Sequence, residues 1–333
     1  ARAACVPMKA KVVPMMLSSG SCSTVGSHST ASLGLGSELP YTPLFPEEVE
    51  HHVTPMSAEP PTSAGLRIPA VQVCARVRPS LPGERAEGLA SSALDLRTGI
   101  QGSVAVRSHY QNVFSDEGLR SFGFDSVLGP ESSQEDVWEQ TRLSGLAGRV
   151  VAGFHATVFA YGQTGTGKTY TMEGALEKNL TARRARSAES VGLVPRAIVE
   201  LFARIGAEAA EAPESRFTVK MSFLQIYKER IYDLLSPSQS KCDDSGLKLR
   251  LDPALNQFYA EGLTEVECAD ADAVFRRYDA GLHQRKVAAT ALNLNSSRSH
   301  AILALTVTRR STSEHKVCGN TCSTVEEVSS RMT

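Results

Sequence analysis

Residues 157 to 174 read Thr-Val-Phe-Ala-Tyr-Gly-Gln-Thr-Gly-Thr-Gly-Lys-Thr-Tyr-Thr-Met-Glu-Gly, and they contain a complete phosphate-binding loop. Gly162, Gly167, Lys168 and Thr169 fill the pattern G-x-x-x-x-G-K-[ST]. Glycines at 162, 165 and 167 permit backbone of positive φ, so the N–H groups of Gln163, Thr164, Thr166 and their neighbours can converge on one anion. A helix starting near Lys168 adds its own free N–H groups and the positive end of its dipole. Lys168 then reaches the β- and γ-phosphates of a nucleotide, and Thr169 offers a hydroxyl to Mg²⁺. A Gly/Thr-rich turn can fit the pattern by chance. The Lys-Thr pair, an apolar strand before it and room for a helix after it distinguish this segment from such a turn.

The elements that must position this loop are legible on both sides of it. Val158-Phe159-Ala160-Tyr161 is the apolar run of a buried strand. Upstream, Ser132-Ser-Gln-Glu135 reads as a capping box opening one helix, with Val137, Leu143, Leu146 and Val150-Val151 on its apolar side. Val71, Val73, Ala75 and Val77 alternate as a half-buried strand, which puts Arg76 and Arg78 on its other face before Pro79. After Gly174 an irregular basic stretch runs through Arg186, and a helix restarts around Val194-Pro195-Arg196, where proline is tolerated in the first turn. Phe217 to Ile226 is a strand, two short strands lie around 247–251 and 258–259, Asp270 to Gly281 is a helix, and Ala301 to Thr308 is a strong strand. Strands alternating with helices around a phosphate loop imply an α/β fold with a mainly parallel central sheet and helices on both faces. Ligands of such sheets bind beyond the carboxyl ends of the strands.

A second segment, Asn293-Leu-Asn-Ser-Ser-Arg-Ser-His300, narrows the reading. Together with 161–169, with Arg76-Val-Arg-Pro79 and with Phe223 to Leu235, it closely resembles the kinesin motor family, in family order, from about Ile68 to about Arg310. The resemblance implies ATP and Mg²⁺ as ligands, phosphoryl transfer to water, and microtubules (tubulin) as the partner, in the cytoplasm and cytoskeleton. It implies that Arg76, Arg78 and Pro79 line the adenine site, with Tyr170 stacking on the base or packing in the core. It implies that 293–300 is switch I: Ser297 contacts Mg²⁺ or the γ-phosphate, Asn293 and Ser296 orient water, and Arg298 pairs with an acidic residue of switch II. His300, entering a strand, reads as structural.

The family's switch II, a D-x-A-G-S-E-like segment, is not found after Arg310. Residues 311–333 read as a disordered or diverged tail, 67–310 as a partial motor domain, and the Ser/Thr/Pro-rich residues 1–66 as disordered. In the family, both strands that flank the phosphate-loop strand lie further downstream. That strand is therefore expected to lack both neighbours here, and each buried unpaired backbone group costs ~1–3 kcal/mol. A molten or poorly soluble chain without motor activity is the consequence.

Composition narrows the partners. A net charge of −1 gives no global basic field, so tubulin contact must use local patches and nucleic acid is not indicated. Seven scattered cysteines build no disulfide framework, and Cys318 and Cys322 lack the second pair that tetrahedral zinc requires. No apolar run approaches the ~20 residues of a membrane span. The first residues, Ala-Arg-Ala-Ala-Cys, read as neither signal peptide nor true start, so the chain reads as a piece of a longer protein. Oligomeric state is left open. Two readings stand: a piece of an ATP-driven microtubule motor, or a non-hydrolysing product that binds nucleotide weakly or serves as an interaction module.

Overall fold

Alternation in Val71–Val77 and in His155–Ala160 sends Cys74 and Ala156 into the same buried core, although the two strands do not touch. The computed structural model describes residues 12–20, 71–82, 84, 94–107, 119–175, 190–236, 246–253, 257–291, 299–317 and 320–333. In chain order the strands begin with β1 (Val12–Gly20), β2 (Val71–Val77), β3 (Leu94–Arg97), β4 (Gly99–Ile100), β5 (Ser103–Arg107), β6 (Leu119–Gly123) and β7 (Ser126–Leu128). Helices α1 (Gln134–Thr141) and α2 (Leu143–Val151) lead into β8 (His155–Ala160) and then α3 (Lys168–Glu173) and α4 (Leu193–Glu211). There follow β9 (Ser215–Tyr227), β10 (Arg230–Asp233), β11 (Leu249–Asp252), β12 (Gln257–Ala260) and β13 (Val266–Glu267). Helix α5 (Ala271–Ala291) and the long hairpin β14 (His300–Val317) and β15 (Asn320–Met332) complete the described chain.

The central sheet runs β10-β9-β14-β15-β8-β1-β2-β7-β4, with β13 paired to β9; β3-β5-β6 and β11-β12 form two small sheets. The α/β class holds, but the pairing is mixed. Strands β2, β7, β8, β9 and β15 point one way, yet only β2–β7 and β15–β8 are parallel neighbours among the described pairings. Strands β1, β10 and β14 oppose them. The hairpin returns and the inserted β1 separate strands that the sequence pattern would have set side by side.

The described helices share one face, not two. Helices α1, α2, α3 and α5 all touch α4. The reason is topological: the chain steps across the sheet from β7 to β8 to β9 in one direction, and right-handed crossovers that advance the same way return on the same side. Val137, Leu146, Val150, Leu201 and Phe275 pack there against Met221, Phe223, Leu305 and Met332. Behind β2 and β7, the small β3-β5-β6 sheet covers Ala75 and Val127 with Val104.

Several local expectations are corrected. The capping box is Ser133 with Asp136, one residue later than the Ser132–Glu135 reading, because Asp136 Oδ2 reaches back to the Ser133 N–H at 2.7 Å. Glu135 instead pairs with Arg196. The single helix expected from there breaks at Arg142, whose φ of 53° ends α1 and starts α2. Of residues 311–333, expected as a disordered or diverged tail, 311–317 form the rest of β14 and Asn320–Met332 form β15. Of residues 1–66, the stretch 12–20 is a strand and the remainder lies outside the described residues. The phosphate-loop strand β8 therefore has a neighbour on each side, β1 and β15, where it was expected to have none. Among the described residues no helix is long and apolar enough to cross a membrane.

Candidate functional site

Strand β8 ends at Ala160, residues 161–167 turn over its carboxyl end, and α3 starts at Lys168. Gly162, Gly165 and Gly167 hold φ of 152°, 79° and 101°, conformations in which a side chain would be strained. Gly167 sits at the start of α3, and a Cβ there would meet nothing within 4 Å. Conformation, not crowding, requires that glycine, and the space beside it is open to a ligand. Buried Thr166 closes the loop: its hydroxyl donates to the Gln163 carbonyl at 2.8 Å, and its N–H donates to the same oxygen at 3.2 Å. The Lys168 ammonium donates to the carbonyls of Gly162 at 2.7 Å and Gln163 at 3.0 Å, which fixes a positive charge against the loop. Gln163, Thr164, Gly165 and Thr169 are exposed on it. The donor set suits a polyphosphate: a glycine-rich loop, a helix start, one cation and one exposed hydroxyl beside it.

Arg76, Arg78, Pro79 and Tyr170 converge beside the loop, lining one small cleft with Pro130 and Ser132. They do so in different ways. Arg76 is 6% exposed and fully engaged: Nη1 donates to Gln134 Oε1 at 2.9 Å and to Thr171 Oγ1 at 3.0 Å, and Nη2 to the Ser132 carbonyl at 3.2 Å. Its guanidinium lies 5.3 Å from the Tyr170 ring centre. Burial pulls the Arg76 pKa below its ordinary value, and Tyr170 and Asp136 oppose that shift. Gln134 completes the joint by donating from Nε2 to the Tyr170 carbonyl at 2.6 Å. Tyr170 is 47% exposed, so it does not pack in the core. Arg78 is a strut: Nε donates to the Gly165 carbonyl at 2.9 Å, while Nη1 and Nη2 grip Glu84 at 2.8 and 2.6 Å. It ties β2 to the crown of the phosphate loop.

Sequence reasoning passed over Gln134, Thr171 and Glu84, because their roles exist only once β2, α1 and α3 are brought together. Asn293, Ser296, Ser297 and Arg298 lie outside the described residues. Their flanks border the wider cleft around the loop: Arg285 Nη2 donates to the Ser299 hydroxyl at 3.2 Å, and exposed His300 opens β14. Met332 and Thr333 line this cleft from the end of β15. Cys318 of the Cys318/Cys322 pair lies outside the described residues, and among those described no three His, Cys, Asp or Glu side chains group as metal ligands.

Comparison with known proteins places the chain among motor domains. The family model of the kinesin motor domain matches residues 76–328. Kinesin-like protein KIN-5A of Arabidopsis thaliana is 36% identical over 200 residues, covering 59% of this chain and 18% of its own length. Kinesin-like protein KIN-5C of the same plant is 34% identical over 244 residues, 71% of this chain and 23% of its own length. Kinesin-like protein KIF11-A of Xenopus laevis is 34% identical over 247 residues, 73% of this chain and 22% of its own length. The chain thus spans about a fifth of these curated relatives. Among solved structures, a fast kinesin superposes with a TM-score of 0.58 at 28% identity, over 77% of this chain and 62% of the other.

Proposed function

The chain belongs to the kinesin motor domain family, and from that premise we propose that it carries the ATP site of a microtubule motor, whose whole protein couples ATP hydrolysis to movement along microtubules in the cytoplasmic cytoskeleton. The observation that carries this reading is the Lys168 ammonium, 2.7 Å from the Gly162 carbonyl within a loop of three left-handed glycines that opens a helix. In this reading Lys168 turns from the loop carbonyls to the β- and γ-phosphates, and Thr169 holds Mg²⁺ together with Ser297. Arg76 sets the Tyr170 ring as a wall for the base, and Arg78 holds the loop crown. Asn293 and Ser296 orient the attacking water, and Arg298 braces the switch. When bound, MgATP supplies the phosphoryl group that water attacks. The protein positions the reactants and neutralises charge.

Equilibrium binding of a fluorescent ATP analogue with Mg²⁺ tests the site. Lys168→Ala removes the cation aimed at the phosphates and should weaken binding by about tenfold or more, ~1.4 kcal/mol. Thr169→Asn should weaken the Mg²⁺-dependent part. Unchanged affinity in both variants would sink the assignment.

One observation favours a second reading, a nucleotide binder that does not hydrolyse. Strand β15 lies parallel to β8, and its cleft end offers Met332 and Thr333. Its nearest carboxylate, Glu327, is spent on Arg310 at 2.8 Å. Microtubule-stimulated ATPase separates the readings: bound nucleotide with no stimulated turnover selects the second.

A further inference from the structure

Lys168 and Tyr170 stand two places apart on one short helix, α3 (Lys168–Glu173), so the phosphate end and the base end of a nucleotide meet the same six-residue element. A helix of that length is marginal by itself and takes its pose from whatever holds it. We propose that Gln134 is a positioning residue for the nucleotide base: through Arg76 and the Tyr170 carbonyl it fixes the wall that the base meets, and it leaves the phosphate end to the loop. The base role rests on the nucleotide reading above.

Gln134 is the first residue of α1 and is fully buried. Its amide can be oriented in one way only, because a guanidinium only donates and a carbonyl only accepts. Oε1 therefore faces Arg76 Nη1 at 2.9 Å, and Nε2 faces the Tyr170 carbonyl at 2.6 Å. That carbonyl does not need the second bond. It already accepts the Gly174 N–H at 2.9 Å, the bond that caps α3. What the amide adds is a tether from α1 to the middle of α3. Arg76 adds two more holds on the same spot: Nη1 donates to Thr171 Oγ1 at 3.0 Å, and the guanidinium carbon lies 5.3 Å from the Tyr170 ring centre. One pair of side chains thus holds residues 170 and 171 by a carbonyl, a hydroxyl and a ring.

The phosphate end is held by other groups. Arg78 Nε donates to the Gly165 carbonyl, the Thr166 hydroxyl to the Gln163 carbonyl, and the Lys168 ammonium to the Gly162 carbonyl. Loosening Gln134 therefore frees the wall and spares the cradle.

Equilibrium dialysis of the whole chain against labelled MgADP and, separately, labelled magnesium pyrophosphate reads the two ends apart, since pyrophosphate carries no base. Gln134→Leu, similar in size and unable to bond to either partner, should weaken ADP binding about tenfold while moving the pyrophosphate Kd by less than about twofold. Thermal unfolding of the variant confirms that it is folded at the assay temperature. Where it is not, Gln134→Glu takes its place. It keeps an acceptor for Arg76, so the buried cation stays paired, but it sets a second oxygen against the Tyr170 carbonyl, and the same split is expected. Equal weakening of both ligands in a folded variant, or weakening of neither, overturns the proposal. An unmodified chain that binds pyrophosphate as tightly as ADP has no base wall, which overturns the proposal and leaves the phosphate loop standing. One that binds neither overturns the nucleotide reading, and the role of Gln134 falls with it.

Discussion

The two neighbours of the phosphate-loop strand are held by opposite means. On one side, β15 pairs in parallel at Met332 with Ala156, and its end exchanges bonds with β8: Thr333 N–H to the Ala156 carbonyl at 2.9 Å, and Val158 N–H to the Thr333 carbonyl at 2.7 Å. It arrives on a hairpin paired with β14 from Leu305–Met332 to Val317–Asn320, and it is anchored in the core through Met332, Ser330 and Val328, all nearly buried. On the other side, β1 has a six-residue antiparallel ladder to β8, from Met15–Ala160 to Gly20–His155, and reaches it across a long connection. The side with the longer ladder to β8 thus has the weaker covalent guidance. A hairpin strand is positioned by its turn before any core forms, whereas a strand from a distant segment must be recognised by the slot itself. Backbone pairing can be supplied by almost any extended segment; side-chain anchorage cannot.

Three substitutions break or sharpen that contrast, alongside the experiments already described. The largest effect is expected from Met332→Ala, which hollows the core where β15 meets Leu305. A loss of about 2–5 kcal/mol is expected from denaturant unfolding, with the slope unchanged. A loss under ~1 kcal/mol, the scale of a well-tolerated core change, would put the two flanks on an equal footing.

The next concerns Cys74, which faces Met15 of β1 across the ladder. Burial, reinforced by the Asp125 charge and opposed by a hydrogen bond with Gln72, pushes its thiol up to about 12 from 9.0. The folded protein therefore keeps this proton across a range where the unfolded chain loses it. Stability is fully present below about pH 9 and falls as pH rises from there toward 12, by up to ~1.4 kcal/mol per pH unit. Cys74→Ala should flatten that part of the stability–pH curve relative to wild type. Parallel curves for the two proteins would show that water reaches the β2 edge, and hence that β1 does not cover it.

The smallest effect is expected at Ser330→Ala. Ser330 Oγ donates to the Val150 carbonyl at 2.6 Å, joining β15 to the last turn of α2. The Gly153 N–H still reaches that carbonyl at 2.9 Å, so no acceptor is orphaned and the loss should be about 0.5–1.5 kcal/mol. A loss like that of Met332→Ala would mean that one hydrogen bond, not packing, anchors the β15 flank.

The phosphate loop was legible because its chemistry is local. Gly162, Gly165, Gly167, Lys168 and Thr169 lie within eight residues, and the backbone they require can be named from residue types alone. The same holds for β2, β9, the start of β14 and α5, whose alternation or helical period repeats within one element. The capping box was misplaced by one residue because Ser132 and Ser133, Glu135 and Asp136 are interchangeable on paper. Only the Ser133–Asp136 geometry and the pull of Arg196 on Glu135 separate them. Sequence by itself determined the family, the fold class and the loop. What only tertiary structure decided is who stands beside β8. Neither Val12–Gly20 nor Asn320–Met332 has a periodicity that marks it as central, since a strand's place in a sheet depends on partners tens to hundreds of residues away. Arg76 and Arg78 likewise look equivalent in sequence. One became a buried joint with Gln134 and Thr171, the other a strut between Glu84 and the loop, because the neighbouring elements differ on either side of β2.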